Sequence, residues 1–122
     1  MYLIKYNHGM PPILSVRFYC TATGNEPVRD WLKDQISAEA RRAIGADIKT
    51  VQFGWPIGMP VVRKMEPGLW EVRSNIPEGI ARVLFTVVGS QMVLLHGFVK
   101  KTQATPKADL ASAIARMKEV RT

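Results

Sequence analysis

Between Leu69 and Thr102 the chain reads LWEVRSNIPEGIARVLFTVVGSQMVLLHGFVKKT, and its apolar residues recur largely with the period of two that a half-buried strand requires. β-Branched and aromatic residues fill 69–74, 80–88 and 91–99, and turn residues separate them, so three consecutive strands joined by local hairpins are predicted. With Ile76-Pro77-Glu78-Gly79 as a four-residue loop, Asn75 pairs with Ile80 and Arg73 falls directly across from Arg82. A two-residue turn at Gly89-Ser90 then gathers Trp70, Val72, Ala81, Val83, Phe85, Val87, Met92, Leu94 and Phe98 on one bulky face. The same register sets Gly97 opposite Arg82, puts Val99 and Lys101 on the arginine face and leaves His96 on the covered face. A three-residue loop would reverse the placement of His96.

Upstream the pattern changes. Ile13 to Thr21 alternates as a first strand, with Leu14, Val16 and Phe18 on one side and Cys20 expected as a small buried hydrophobe. Asn25 is positioned to cap a helix whose first turn carries Glu26 and Pro27, and Val28, Trp31, Leu32 and Gln35 or Ile36 follow at helical spacing. Trp31 reads as a core anchor. Ser37 is the expected cap of a second helix with Ala40, Ile44, Ile48 and Val51 as its buried stripe, and two helices joined this closely should form an antiparallel hairpin. Gly and Pro alternate through Phe53-Gly54-Trp55-Pro56-Ile57-Gly58-Met59-Pro60, which ends that helix and leaves Trp55 to cover the edge of the core. A short strand at 61–65 turns through Glu66-Pro67-Gly68. Thr105-Pro106 opens a last helix with Leu110, Ile114 and Met117 on one face.

The elements describe an α/β (α+β) domain: a helical hairpin on a mostly antiparallel sheet of four to five strands, closed by a C-terminal helix. At 122 residues and 47% apolar content the chain is read as one domain over 13–122, preceded by a loose leader over 1–12 that ends in Pro11-Pro12. Met10 offers an alternative start. One cysteine excludes an internal disulfide and a cysteine-based metal cluster, no signal-peptide or membrane-length apolar run is present, and a reducing, cytoplasmic location is expected.

Seventeen Lys plus Arg against ten Asp plus Glu give a formal net charge of +7, which favours an acidic partner such as nucleic acid or an acidic protein segment. Residues 61–122 hold ten basic and five acidic groups against seven and five in residues 1–60, so the excess accompanies the strands and the last helix. No glycine-rich phosphate loop, HExxH or GxSxG motif occurs, and with only His8 and His96 as histidines neither a metal nor another cofactor is expected.

What remains is basic: Arg63, Lys64, Arg73, Arg82, Lys100, Lys101 and Lys107, with His96 near them in sequence. Two arginines directly opposite on antiparallel strands repel by up to ~1 kcal/mol, so they call for an acidic neighbour, of which Glu71 is the nearest, or for an anionic ligand. The first reading makes them surface charges bridged to Glu71; the second makes a phosphate site. RNA cleavage without a metal uses such residues, because the ribose 2′-hydroxyl can itself attack the adjacent phosphate while the protein orients the attack, stabilises the phosphorane and moves the protons. Arginine suits the phosphate, and a lysine or histidine can also handle protons. His96 serves equally as a structural histidine bonded within the sheet.

The segments TGNEPVRDWL at 23–32, RKMEPGLWEVR at 63–73, ARVLF at 81–85 and LLHGFVKKTQATP at 94–106 together resemble the RelE/ParE superfamily of toxin-antitoxin toxins, and most closely its phage-derived HigB-like branch. The resemblance covers nearly everything after Pro12. It implies a RelE-like fold, ribosome-dependent mRNA cleavage and inhibition by an antitoxin, usually a helix-turn-helix protein in this branch. By that resemblance Arg82 stands at a strand arginine contacting the scissile phosphate, Lys101 near a second basic catalytic position, and Arg73 at the arginine ending the preceding strand. His96 joins them as a catalytic candidate, with Arg63, Lys64, Lys100 and Lys107 as RNA-binding candidates. Glu71 falls where some ribonuclease members have lysine, and Lys107 lies where a tyrosine would be expected. The superfamily also contains ParE-type toxins that poison DNA gyrase, and a noncatalytic phage-derived binding protein is a third class.

Overall fold

The computed structural model describes residues 11–100 and 105–122; the leader residues 1–10, with Met10, and Lys101 lie outside the described residues. The elements run β1 (Ser15–Phe18), α1 (Pro27–Asp34), α2 (Ala38–Gly54), β2 (Val62–Glu66), β3 (Leu69–Ile76), β4 (Gly79–Val88), β5 (Gln91–Lys100) and α3 (Lys107–Arg121). The sheet order is β1-β5-β4-β3-β2, with β1 parallel to β5 and every other pair antiparallel. This is the expected α+β architecture.

Each face of the sheet has its own core. On one, the α2 stripe Ala40, Ile44, Ile48 and Val51 and Val28 of α1 pack with Val72, Ala81, Val83, Phe85, Met92 and Leu94. Trp55 closes the edge of that core, its ring 4.9 Å from Trp70 and 5.6 Å from Phe85 in edge-on contacts. On the other face α3 lays Leu110, Ala113, Ile114 and Met117 over Leu69, Leu84, Val93 and Leu95. The C-terminal end of α3 is fastened by Arg121, whose Nη1 donates to Thr86 Oγ1 at 3.0 Å and to the Val87 carbonyl at 2.9 Å.

Ser37 caps α2 as its sequence requires, its hydroxyl accepting from the Ala40 amide at 3.2 Å. Asn25 does not cap α1. Glu26 occupies the cap position without a side-chain bond and Pro27 opens the helix, while the Asn25 amide group donates to Thr23 Oγ1 at 3.3 Å. The other end of α1 is held by Arg41, which donates to the carbonyls of Leu32, Lys33 and Ile36 and so satisfies groups a helix terminus leaves unpaired. Strand β1 ends at Phe18, earlier than expected, and Cys20 is exposed rather than buried because it lies beyond the paired stretch.

Two hairpin details differ from expectation. Asn75 does pair with Ile80 and Arg73 with Arg82, but Ile76 also pairs with Gly79, so the loop is the two residues Pro77-Glu78. Gly89-Ser90 is the two-residue turn expected, since Val88 pairs with Gln91. Past it, however, Phe85 pairs with Leu94 and Leu84 with His96, leaving Leu95 as an inserted residue. One extra residue reverses every later side chain. Phe98, not Gly97, therefore lies opposite Arg82; Phe98 and His96 join the arginine face, and Val99 packs on the α1–α2 side.

Gly97 marks where that reversal meets α1. A Cβ on Gly97 would stand 2.5 Å from two carbons of the Trp31 ring, inside any van der Waals limit. Gly97→Ala should accordingly cost about 1–3 kcal/mol of stability in urea unfolding through overpacking. Gly45→Ala, on an exposed helical position with nothing within 4 Å of the new Cβ, should stabilise by about 0.5–1 kcal/mol.

Candidate functional site

The corrected register lays the candidate residues out as three successive rungs on the face that α3 partly covers. Arg63, Glu71, Leu84 and His96 form one rung across β2 to β5; Arg73, Arg82 and Phe98 form the next; Asn75, Ile80 and Lys100 form the last. Helix α3 starts over the first rung, where Thr105 Oγ1 donates to Glu71 Oε2 at 2.8 Å and Asp109 meets His96. Of the remaining candidates, exposed Lys64 pairs with Trp70 and so belongs to the opposite face, while exposed Lys107 opens α3.

Glu71 is what allows the two arginines to face each other. Its carboxylate is fully buried; Oε1 accepts from Arg82 Nη1 at 3.2 Å and lies 3.9 Å from Arg73 Nε. Arg82 is also fully buried, whereas the Arg73 side chain retains 14% exposure and lines a cleft of about 280 Å³ with Pro60, Asn75 and Ile80. The acidic bridge between the arginines is present, but in the interior rather than at the surface, and Arg73 lines the opening. Arg82 cannot be truncated without cost to the fold, contrary to the expectation for an exposed strand arginine.

A second polar group flanks the first. His96 Nε2 lies 2.6 Å from Asp109 Oδ1, and Arg116 Nη1 lies 3.3 Å from His96 Nδ1 and 2.8 Å from the Leu95 carbonyl it donates to. A guanidinium only donates, so Nδ1 is the accepting nitrogen and the ring proton resides on Nε2, facing the Asp109 carboxylate. The Arg116 guanidinium also stacks 5.2 Å above the Tyr19 ring, and the Tyr19 hydroxyl donates to Glu119 at 2.9–3.0 Å. That bond, with burial and the charge of Glu119, raises the Tyr19 pKa above its ordinary value, so the phenol stays protonated near neutrality.

Beside this group opens a cavity of about 530 Å³, lined among others by Trp31, Gln35, His96, Phe98 and Arg116. It lies along β5 where β1 has already ended: the last β1–β5 pair is Phe18 with Leu94. Asp109, Arg116, Tyr19, Glu119 and Thr105 were not singled out as functional in the sequence. Asp109 and Arg116 are seven residues apart and share a helix face, a signal available in advance, but only the inserted Leu95 turns His96 toward them.

Breaking the buried pair from its acidic side should be severe. Glu71→Ala leaves two buried or half-buried guanidinium groups without their carboxylate and should cost about 3–5 kcal/mol in equilibrium unfolding. Adding Arg82→Met to that variant should recover a measurable part of the loss, because the uncompensated charge is then gone.

Among the described residues, no helix is long and apolar enough to cross a membrane. No curated protein matches the chain at a significant level. A family model, phage-derived protein Gp49-like (DUF891), matches residues 30–118, from the first turn of α1 to the last turn of α3. The chain belongs to the Gp49-like phage-derived family, a member of the RelE/ParE-like toxin superfamily related to toxin-antitoxin toxins.

Proposed function

We propose that the protein is the toxin of a type II toxin-antitoxin system, of the HigB-like kind, acting in the cytoplasm as a metal-independent, ribosome-dependent mRNA endoribonuclease. The observation that carries this reading is the convergence of Arg73, Arg82 and Lys100 from three neighbouring strands onto one face, braced by Glu71 and bordered by a histidine. In this reading Arg73 meets the scissile phosphate from the cleft, since it is the less buried member of the pair. Arg82 fixes the position of the shared carboxylate and adds positive potential from behind. Lys100, with Lys101 next in sequence, and Arg63 extend the basic track along which the message lies, as Lys107 does at the start of α3; Lys64, on the other face, contributes only to long-range attraction.

An RNA-cutting toxin needs a restraint, and the basic rungs offer an electrostatic landing surface for an acidic segment of a cognate antitoxin, expected to be a helix-turn-helix protein. Direct cover of Arg73, in front of the buried Arg82, and of Lys101 is favoured over displacement of α3, because α3 supplies a whole face of core.

Induced expression should arrest growth and translation and leave messages with new 5′ ends. Arg73→Ala, which removes a charge-assisted contact to the phosphate, should slow cleavage by ~10²-fold or more while preserving the fold. Double-strand breaks in DNA with intact message would instead identify a gyrase poison, and full toxicity of a folded Arg73→Ala protein would sink the assignment of this arginine.

Charge reversal at Lys100 and Lys101 together should weaken association with ribosomes or RNA most at low salt, with a shallower dependence of log K on log salt than the parent. Identical binding at low salt would make these lysines a mere solubilising strand end.

A further inference from the structure

Past Leu94 the outer side of β5 has no neighbouring strand among the described residues. β1 pairs with it only from Gln91 to Leu94, and the chain then turns away through Thr21 and Asn25, whose backbones bond at 2.8 Å. Residues 95–100 are left with an open edge, along which every second residue turns its backbone N–H and C=O away from β4. Arg116 takes the Leu95 carbonyl. The next four residues, 96–99, line the cavity of about 530 Å³ together with Trp31 and Ile36 of α1 and Arg116 of α3.

We infer that this edge is a docking groove for one extended segment of a partner protein, in which apolar and acidic side chains alternate, and which pairs with β5 in the lane that β1 leaves. In such strand addition main-chain hydrogen bonds give affinity and the alternate side-chain positions give specificity. The inference goes beyond the toxin reading and does not depend on RNA cleavage.

Three observations carry it. The first is that the edge is undefended. Free sheet edges are normally blunted by shortness, charge, proline or a bulge. β2, at the opposite edge, has five residues, exposed Arg63 and Lys64 and an irregular register, and β1 has four residues with an exposed Arg17. Leu95 to Val99, by contrast, contains no Pro, Lys, Arg, Asp or Glu. Its place between α1 and α3 shields it from a flat sheet edge while admitting a single strand.

The second observation is that the two walls differ. Side chains of an added strand alternate between the faces of the sheet. One face offers Trp31, Ile36 and Val99, which belong to the α1–α2 core; the other offers Arg116 beside His96 and Phe98. The third is a cation without a counter-charge. Arg116 donates to the Leu95 carbonyl at 2.8 Å and lies 3.3 Å from His96 Nδ1, and among the described residues it forms no ion pair. With Lys100 ending the strand and a formal net charge of +7 on the chain, acidic side chains are favoured on that face. A second copy of the chain is disfavoured, since it would bring its own Arg116 and Lys100 to the shared edge and its own flanking helices into a groove one strand wide.

The test is an NMR titration of the full-length protein with a capped hexapeptide alternating valine and glutamate, read at the Gly97 and Val99 amides, with calorimetry for affinity. The peptide should bind one to one, shift those amides and slow the exchange of whichever of their hydrogens face it. Replacing glutamate by lysine should weaken binding ~10-fold or more, and so should Arg116→Gln, which keeps a donor for the Leu95 carbonyl. Because a strand turns alternate N–H groups to opposite sides, methylating the backbone nitrogens of the valines or of the glutamates should abolish binding in one case and spare it in the other. Absence of binding at millimolar peptide, or binding indifferent to which nitrogens are methylated, overturns the inference. Protection of both amides before peptide is added also overturns it, assigning the edge to another part of this chain or, where protection grows with protein concentration, to a second copy. Shifts produced by oligouridylate and not by the peptide would assign the groove to RNA instead and overturn it likewise. None of these outcomes bears on the endoribonuclease reading, which the growth and cleavage assays decide separately.

Discussion

A carboxylate with no access to water holds the centre of this protein. Glu71 is the point where β3, β4 and the segment entering α3 meet: it receives Arg82 from the neighbouring strand, lies near Arg73 from its own, and accepts the Thr105 hydroxyl. Burying a charge is expensive, and the cost is tolerable only when several donors converge, which obliges the backbone of each contributor to sit where it does. The like-charged cross-strand pair Arg73–Arg82 would repel in its absence. Removing the carboxylate therefore affects more than one contact, since the register of β3 on β4 and the landing of α3 both refer to it.

The second constraint is the inserted Leu95. Without it the alternation of β5 would run unbroken, Leu95 and Gly97 would share a face and His96 would point into the α1–α2 core. With it, Val93 and Leu95 fill the core beneath α3 and His96 follows them onto that side. Gly97 then comes under Trp31, where only a residue without a Cβ fits, so bulge, glycine and tryptophan form one arrangement. Bulges re-aim side chains in this way at the rims of sheets.

Much of this was legible in the chain. The α2 stripe, the Ser37 cap, the Gly89-Ser90 turn and the opposition of Arg73 to Arg82 follow from periodicity and turn chemistry, which are local. What the sequence did not disclose depends on distant choices. A bulge in LLHGF has no composition signal, because leucine on either face is acceptable while two apolar cores compete for it. The Asn25 cap failed because Thr21 and Thr23 engage the loop around it, and the exposure of Cys20 turns on where β1 stops pairing. Glu71 was recognisable as the neighbour of two arginines, but its burial, which converts a surface bridge into a structural centre, required α3.

If the cluster binds phosphate as proposed, the arrangement also separates two demands that such a site makes on the same residues. Arginines must be rigid to stabilise charge without reorganisation, yet at least one must remain accessible. Here the fully buried Arg82 and the half-buried Arg73 divide these properties between them around one carboxylate. His96 is divided off in turn, braced by Asp109 and Arg116 of α3 rather than by Glu71. Rigidity therefore comes from two different elements, β3 with β4 for the guanidinium groups and α3 for the imidazole, and their relative position is set by Thr105 and Asp109, four residues apart at the start of that helix. A change that shifts the start of α3 would alter the spacing between the guanidinium pair and the imidazole before it disturbed either group internally.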